Sequence, residues 1–397
     1  MTAAWGTTTL GSAGKWVSGG TPSTSIEEYW GGDIPWMSSK SLTEFRVRDS
    51  DRRLTTLGAE NGTKLVPKDT ILMVVRGMSL KSEFRMGITQ RQVGLSQDLK
   101  ALIPRDDLDP VFLAYALQSR TEEVLDMVDE AGHGTGRLQT DRLFALELPV
   151  PPLAVQQSIA ATLGVLDDKI ESNRRTRELE LGVAIAVLST GSRRLRLGDV
   201  AELTKGLSYK GAGLNDGSSP YASPMLNLAN FTTTGDLKLS GMKFYTGDFK
   251  PKHRLSAWDL VIANTDLTQL REILGRGFLV PPSLDEALHT HHTSRVRFFD
   301  NPELAPVVWA QLQSPAFRER AVGFATGTTV TSLPAEAVLD FEFALPDELE
   351  RALLQARTLI AHSWQADDES LRLAALRDAL LSELLSGRVR ISSEEFA

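Results

Sequence analysis

The chain is written twice. A Gly-Thr turn, a short apolar strand, a proline stop and a long heptad-patterned segment occur around residues 132–190 and again around 325–390. In the first copy the turn is Gly134-Thr135, the strand runs from Leu143 to Val150, and the long segment starts at Leu153. In the second the turn is Gly327-Thr328, the strand spans Leu339 to Phe343 before Pro346, and the long segment starts near Leu349. The starts of the halves also match, Leu10-Gly11 with Gly19 against Leu197-Gly198 with Gly206. A duplicated globule-plus-helix predicts an α+β protein: two mixed α/β domains in pseudo-two-fold arrangement, separated by two long antiparallel coiled-coil helices. The expected boundaries are 1–150 and 193–346 for the globules, 151–192 for a central helix, and 347–397 for a C-terminal helix and tail.

The long segments carry the heptad signal. Ile159, Leu163, Leu166 and Ile170 step by 4, 3 and 4, an a/d seam. The register then passes through Asn173, Arg177 and Glu180 before Ala184 and Val187 resume it. A polar patch inside a seam weakens packing but can fix register. The second stripe is Leu353, Ile360, Trp364, Leu371, Ala374, Leu381 and Leu385. A helix of about 36 residues is roughly 54 Å long. Two such helices, each beside a globule, are expected to pair as an antiparallel spacer.

Within the globules the strand and helix signals recur in the same order. Asp69 to Val75 is an apolar run of buried-strand length, and Asp259 to Ala263 stands in its place in the second half. Asp109-Pro110 opens a helix through Leu117, matched by Pro306 to Gln313. Leu117-Gln118-Ser119 recurs as Leu312-Gln313-Ser314.

Composition excludes several chemistries. With no cysteine, disulfides, thiolate zinc sites and cysteine nucleophiles are ruled out. The N-terminus shows no basic and apolar leader pattern, and no stretch approaches a membrane span, so a cytoplasmic protein without membrane contact is expected. A methyltransferase would need an (N/D)-P-P-(Y/F) element and a Gly-rich cofactor loop. Val150-Pro-Pro-Leu153, Asn301-Pro302-Glu303 and Gly275-Arg276-Gly277 do not supply them. Gly14-Lys15 is followed by Trp16 and is not a P-loop. Asp98-Leu-Lys100 is an isolated nuclease-like fragment. His289, His291 and His292 lack a carboxylate partner at metal-site spacing and read as a surface loop. No catalytic residue and no metal site is therefore assigned.

The net charge of −8 argues against a polyanion partner until its distribution is considered. Residues 40–91 hold 11 Lys/Arg against 6 Asp/Glu, so the first globule can present a basic face. Double-stranded DNA, with its two-fold backbone, suits a two-fold reader of two half-sites. Contact needs Arg/Lys for phosphates and Arg, Lys, Asn, Gln or Ser/Thr on loops for base edges. In the first half the candidates are Ser39, Lys40, Arg76, Lys81, Arg85, Arg91, His133 and Arg137. In the second they are Asn264, Thr265, Thr268, Gln269, Arg271, His291, His292 and Thr328. Tyr29, Trp30 and Trp36, in a Gly/Pro-rich setting, are expected to pack under a loop rather than stack on bases.

The pieces GGTPSTSIEEYWGGDIPWMSSKSL, GTGRLQTDRLFALELPVPPLAVQQSIAATLGVLDDKIESNRR and LRDALLSELLSGRVRI resemble the specificity (S) subunit of type I restriction-modification systems. The ordered set Pro151-Pro152-Leu153, Gln156-Gln157, Ile159-Ala160, Leu163, Leu166-Asp167, Lys169-Ile170 and Asn173 is its most specific part. The resemblance implies two target-recognition domains reading a bipartite DNA site. It implies helices that dock two methyltransferase (M) subunits, and restriction (R) subunits that join them. It implies no cofactor in this chain, with S-adenosylmethionine, ATP and magnesium belonging to the partner subunits. Val155 stands where Glu is common in that motif, and the second half lacks the GGTPS…YWGGDIPW signature. That divergence implies two different half-sites, hence an asymmetric target. A methyltransferase-only system is the alternative within this class; a stand-alone metal-dependent nuclease and a protein-binding scaffold are alternatives from others.

Overall fold

Ile71–Val74 is apolar throughout because all four of its residues are buried. A computed structural model describes residues 5–131, 135–268, 270–327 and 330–390. Contacts divide the chain into two units, residues 1–170 with 371–397, and residues 171–370. Each long helix therefore passes from one unit to the other.

In the first unit Ile71–Val74 is the middle strand of a five-stranded sheet. The order is Gly14–Ser18, Leu99–Pro104, Ile71–Val74, Met86–Thr89, Arg46–Val47, antiparallel except at the last pair. In the second unit Ala201–Lys205, Thr293–Phe298, Leu260–Ala263 and Gly277–Leu279 repeat the first four positions, again antiparallel. A parallel pair stands beside each sheet: Trp36-Met37 with Gly94-Leu95, and Met225-Leu226 with Leu288-His289. A closing ladder ties each unit's ends, Gly6–Thr9 with Glu147–Val150 and Arg193–Arg196 with Glu342–Leu345. The helix Pro110–Gln118 is capped by Asp109, whose side chain accepts the Phe112 N–H, and has Pro in its first turn. Ala305–Leu312 is its buried counterpart.

The matching glycines have a shared cause. A Cβ on Gly19 would lie 2.3 Å from the Ser96 carbonyl and 2.4 Å from that of Leu95. A Cβ on Gly206 would lie 2.2 Å from the His289 carbonyl and 2.5 Å from that of Thr290. Each glycine thus lets the chain run against the backbone of the parallel pair. Gly19→Ala and Gly206→Ala are each expected to destabilise their unit by about 1–3 kcal/mol or more, because the obstruction is backbone and cannot swing aside. Urea denaturation of each variant checks this, and a loss below about 0.5 kcal/mol would refute it.

Two expected strands are shorter than read. Leu143 to Val150 is a helix, Thr140–Ala145, followed by the strand Glu147–Val150. Leu339 to Phe343 is likewise the end of the helix Ala335–Leu339 and the start of the strand Glu342–Leu345. The buried Leu143 and Leu146 are three apart and close a helical turn, which alternation-based reading takes for extended chain.

The helices Leu153–Leu188 and Leu349–Leu385 pack together in antiparallel fashion within each unit. In the first unit Ile159 and Leu163 share a core cluster with Leu381 and Leu384, and Leu385 packs against it. Leu166 and Ile170 are half-buried. In the second unit Ala184, Leu188, Leu353, Ala356 and Ile360 share a cluster, with Trp364 packed against it. Asn173 is buried and donates to Glu369 at 2.8 Å and Ser370 at 3.3 Å. Arg177 meets Asp367 at 2.8 Å and Asp236, on the globule, at 3.1 Å. The polar middle of the seam is thus satisfied rather than merely tolerated.

Leu371 departs from its expected place, being 53% exposed. Trp364 faces the globule and lies 4.5 Å from Trp258, centroid to centroid, so it does not define the helix–helix seam. The inward path runs instead through Ser363, Ala366 and Ser370, and a heptad counted from Trp364 lands on the outside.

Gln156 anchors the start of the central helix. Its amide donates to the Pro151 carbonyl at 2.8 Å and accepts the Asp109 N–H at 2.8 Å, joining two helix starts through one buried side chain.

Candidate nucleic-acid interface

In the first unit the chain leaves the sheet after Val74 and forms the short strand Arg76–Gly77. That strand pairs with Thr135–Leu138, which pairs in turn with Val128–Ala131. The register sets Arg76 directly opposite Arg137, and Arg137 opposite Asp129. Both arginines are exposed, and neither has an ion-pair partner among the described residues. Like charges directly opposite are destabilising in a ladder. Asp129 offsets part of this but already accepts from the Gln139 amide. The result is an exposed cationic edge suited to an anionic or acceptor-rich ligand such as a nucleic-acid groove.

The other candidates divide by role. Ser39 and Lys40 sit in a turn beside Gly77, and Lys40 is exposed. Arg85 donates to the Ser39 carbonyl at 3.2 Å and pairs with Glu83 at 2.9 Å, so it holds that turn. Lys81 lies 3.8 Å from Glu130 at the same edge. Arg91 is elsewhere: it follows the far end of Met86–Thr89 and reaches the Asp33 carbonyl at 3.2 Å. His133 lies outside the described residues. Trp30 and Trp36 pack edge-to-face at 5.3 Å with Arg52 over Trp30 at 3.6 Å, and Trp36 is 6% exposed. They support a loop, with Trp36 buried and Arg52 lying over the half-buried Trp30.

In the second unit Thr265–Asp266 pairs with Thr331–Ser332 at the corresponding place in the chain order. Asn264 donates to Ser294 Oγ at 2.9 Å, and Thr265 Oγ1 is 2.9 Å from His292 Nδ1. The rings of His291 and His292 lie 4.0 Å apart, His291 exposed and His292 half-buried. Thr268 is exposed, while Arg271 donates to the Val322 carbonyl at 3.2 Å. Gln269 and Thr328 lie outside the described residues. The surface set here is polar and aromatic rather than cationic.

His289 is not on a surface loop. It is fully buried, with Nδ1 3.0 Å from Thr293 Oγ1. Burial, then the nearby Arg295 and His253, pushes it down to about 3. Among the described residues no three His, Asp or Glu side chains are placed to hold a metal. The depressed value makes His289 a liability in acid. Folded protein binds fewer protons here than unfolded protein between pH ~6.5 and ~3, so stability is full above ~6.5 and falls as pH drops. The expected loss is roughly 1.4 kcal/mol per pH unit, about 2 kcal/mol between pH 6.5 and 5. Denaturant melts of the wild type and His289→Gln at both pH values test it, and identical pH dependence in the two would refute it.

Sequence inspection missed one arrangement in the first unit. Tyr115 donates to Asp167, Asp167 meets Arg377 at 2.7 Å, and the neighbouring Asp168 pairs with Arg46. Asp167 was visible only as part of a motif, and nothing in the one-dimensional pattern links it to residues so far along the chain.

The fold just described accords with the matches to known proteins. A model of the family described as the type I restriction modification DNA specificity domain matches residues 3–181. Those residues are similar to that family. The specificity subunit of the type I restriction enzyme EcoR124I/EcoR124II of Escherichia coli is 32% identical over 177 residues, 44% of this chain and 44% of that subunit. The specificity subunit of type I restriction enzyme MjaIX of Methanocaldococcus jannaschii is 29% identical over 185 residues, 46% of this chain and 42% of that subunit. The matched stretch spans less than half the length of either relative. The crystal structure of the S subunit of a type I restriction-modification system from M. genitalium covers 97% of both chains with a TM-score of 0.53 at 16% identity. That likeness of fold takes in the second unit, of which the family model reaches only residues 171–181.

Proposed function

We propose that the chain is the DNA sequence-specificity subunit of a type I restriction-modification assembly. The observation that carries this reading is the exposed edge of Arg76 and Arg137 inside a stretch that matches the specificity-domain family. The second unit repeats the same element order with different surface residues, which supports a bipartite, asymmetric target read by two recognition domains. The chain performs no reaction of its own on this reading. Methyltransferase subunits, two per chain, bring S-adenosylmethionine, and restriction subunits bring ATP and magnesium. The assembly acts in the cytoplasm. No helix among the described residues is long and apolar enough to cross a membrane.

The deciding experiment expresses the chain with its neighbouring methyltransferase gene in a methylation-free host and sequences modified bases at single-molecule level. A two-part motif with a fixed gap, absent without this chain, supports the proposal. No new methylation from soluble, associated proteins overturns it in favour of a scaffold. Inserting or deleting one helical turn in both long helices is expected to change the gap and leave the half-sites unchanged; unchanged spacing would overturn the spacer role.

A further inference from the structure

Where the first unit carries arginines, the second exposes apolar side chains. Leu267 is 64% exposed, Leu270 73%, Phe324 44% and Val330 43%. Single exposed apolar residues are ordinary, whereas a group at one loop tip marks a contact surface. Leu267 and Val330 flank the paired residues Asp266 and Thr331 on the same side of the ladder. Arg271, donating to the Val322 carbonyl, ties the loop that follows to the segment leading to Phe324.

This loop is held open by design of its polar contacts. The buried Asp266 carboxylate accepts the N–H groups of Thr268 at 2.7 Å, Ile273 at 2.8 Å and Leu274 at 3.2 Å. Arg318 donates to the carbonyls of Leu274, at 2.9 Å, and Arg271. With its backbone pinned, the loop does not fold its leucines inward. Its place in the chain order corresponds to Arg76–Gly77, the cationic edge of the first unit.

We propose that this apolar tip reads thymine methyl groups in the major groove of one half-site, a proposal that rests on the DNA-reading function above. The C5-methyl of thymine is the apolar feature that base edges display there, and aliphatic side chains contact it. Thr265 and His292 stand beside the tip to meet the hydrogen-bonding groups of the same edges. Each methyl removed from water contributes roughly fourfold in affinity.

The test uses the full chain assembled with its methyltransferase, on duplexes in which each thymine of the target is replaced singly by uracil. Uracil removes the methyl and keeps the hydrogen-bonding groups. The expected result is a roughly fourfold loss per contacted methyl, confined to one half-site. The double variant Leu267→Ala/Leu270→Ala should bind thymine DNA more weakly and show no further loss with uracil, while Leu270→Met keeps the sensitivity. Tolerance of uracil throughout, unchanged sensitivity in the double variant, or a target without A·T pairs overturns the inference. So does a double variant that folds but no longer assembles with the methyltransferase while the wild type ignores uracil, since the tip then serves a protein contact. Base-pair transversions separate the two levels. If they weaken binding where uracil does not, only this inference falls; if no transversion matters, the specificity function itself falls.

Discussion

Asp167→Ala is expected to destabilise the first unit by about 3–5 kcal/mol, the usual cost of removing one partner from a buried ion pair. Asp167 and Arg377 are only 10% and 16% exposed at their side chains, and they meet at 2.7 Å. Removing the carboxylate leaves the Tyr115 hydroxyl without its acceptor and the guanidinium with only the exposed Asp378, which it meets at 2.8 Å. Burial, and then the adjoining carboxylate, pushes the Tyr115 phenol above its usual range, so it stays a donor. Its ring stacks on Phe45 at 4.8 Å, which extends the network into the globule. Tyr115→Phe should cost less, about 1.5–3 kcal/mol, because the ion pair survives it. Asp167→Leu with Arg377→Leu should recover most of the single-variant loss, since an apolar pair of similar volume often matches a buried ion pair. Urea denaturation reads these losses, and the single variants Asp167→Leu and Arg377→Leu complete a double-mutant cycle with the leucine pair. A loss under about 1 kcal/mol for Asp167→Ala would show that the network is not structural.

Arg76→Ala and Arg137→Ala should separate binding from stability. The two side chains face each other across a ladder, so deleting either relieves repulsion and should leave stability unchanged or raise it by up to about 0.5 kcal/mol. Affinity for the cognate duplex should fall, by about 1–3 kcal/mol for an arginine that contacts a base. An arginine on a phosphate would instead weaken all sequences alike and reduce the salt slope by about 1. Titration of the assembled complex at several salt concentrations distinguishes the two. Unchanged affinity and slope in both variants would remove this edge from the interface.

The reach of sequence reading followed the range of the interactions involved. Buried strands such as Ile71–Val74 and the long helices were legible because their signal lies within the segment itself. The glycine correspondence was legible too, although its cause, two carbonyls beside each missing Cβ, needed coordinates. Leu371 was misplaced because its heptad was counted from Trp364, which packs on Trp258 of the globule and not in the helix–helix seam. At the candidate interface Arg76 and Arg137 were picked out by residue type, but their register came only from the pairing. Arg91 was grouped by proximity in sequence and proved to lie past the far end of its strand. The apolar tip of the second unit escaped notice because scattered leucines carry no periodic signal.

The division of the chain has a consequence for synthesis. Residues 371–385 complete the core of the unit that the ribosome makes first, through Leu381, Leu384 and Arg377. About 200 residues emerge between Ile170 and Leu371, roughly 10–40 s at bacterial elongation rates. During that interval Ile159, Leu163 and Asp167 have no helical partner, while the second unit already has all of its parts once Ser370 emerges. The globule translated first is therefore the one that finishes folding last, and a chain truncated after residue 370 should hold a protease-resistant second unit and a protease-sensitive first.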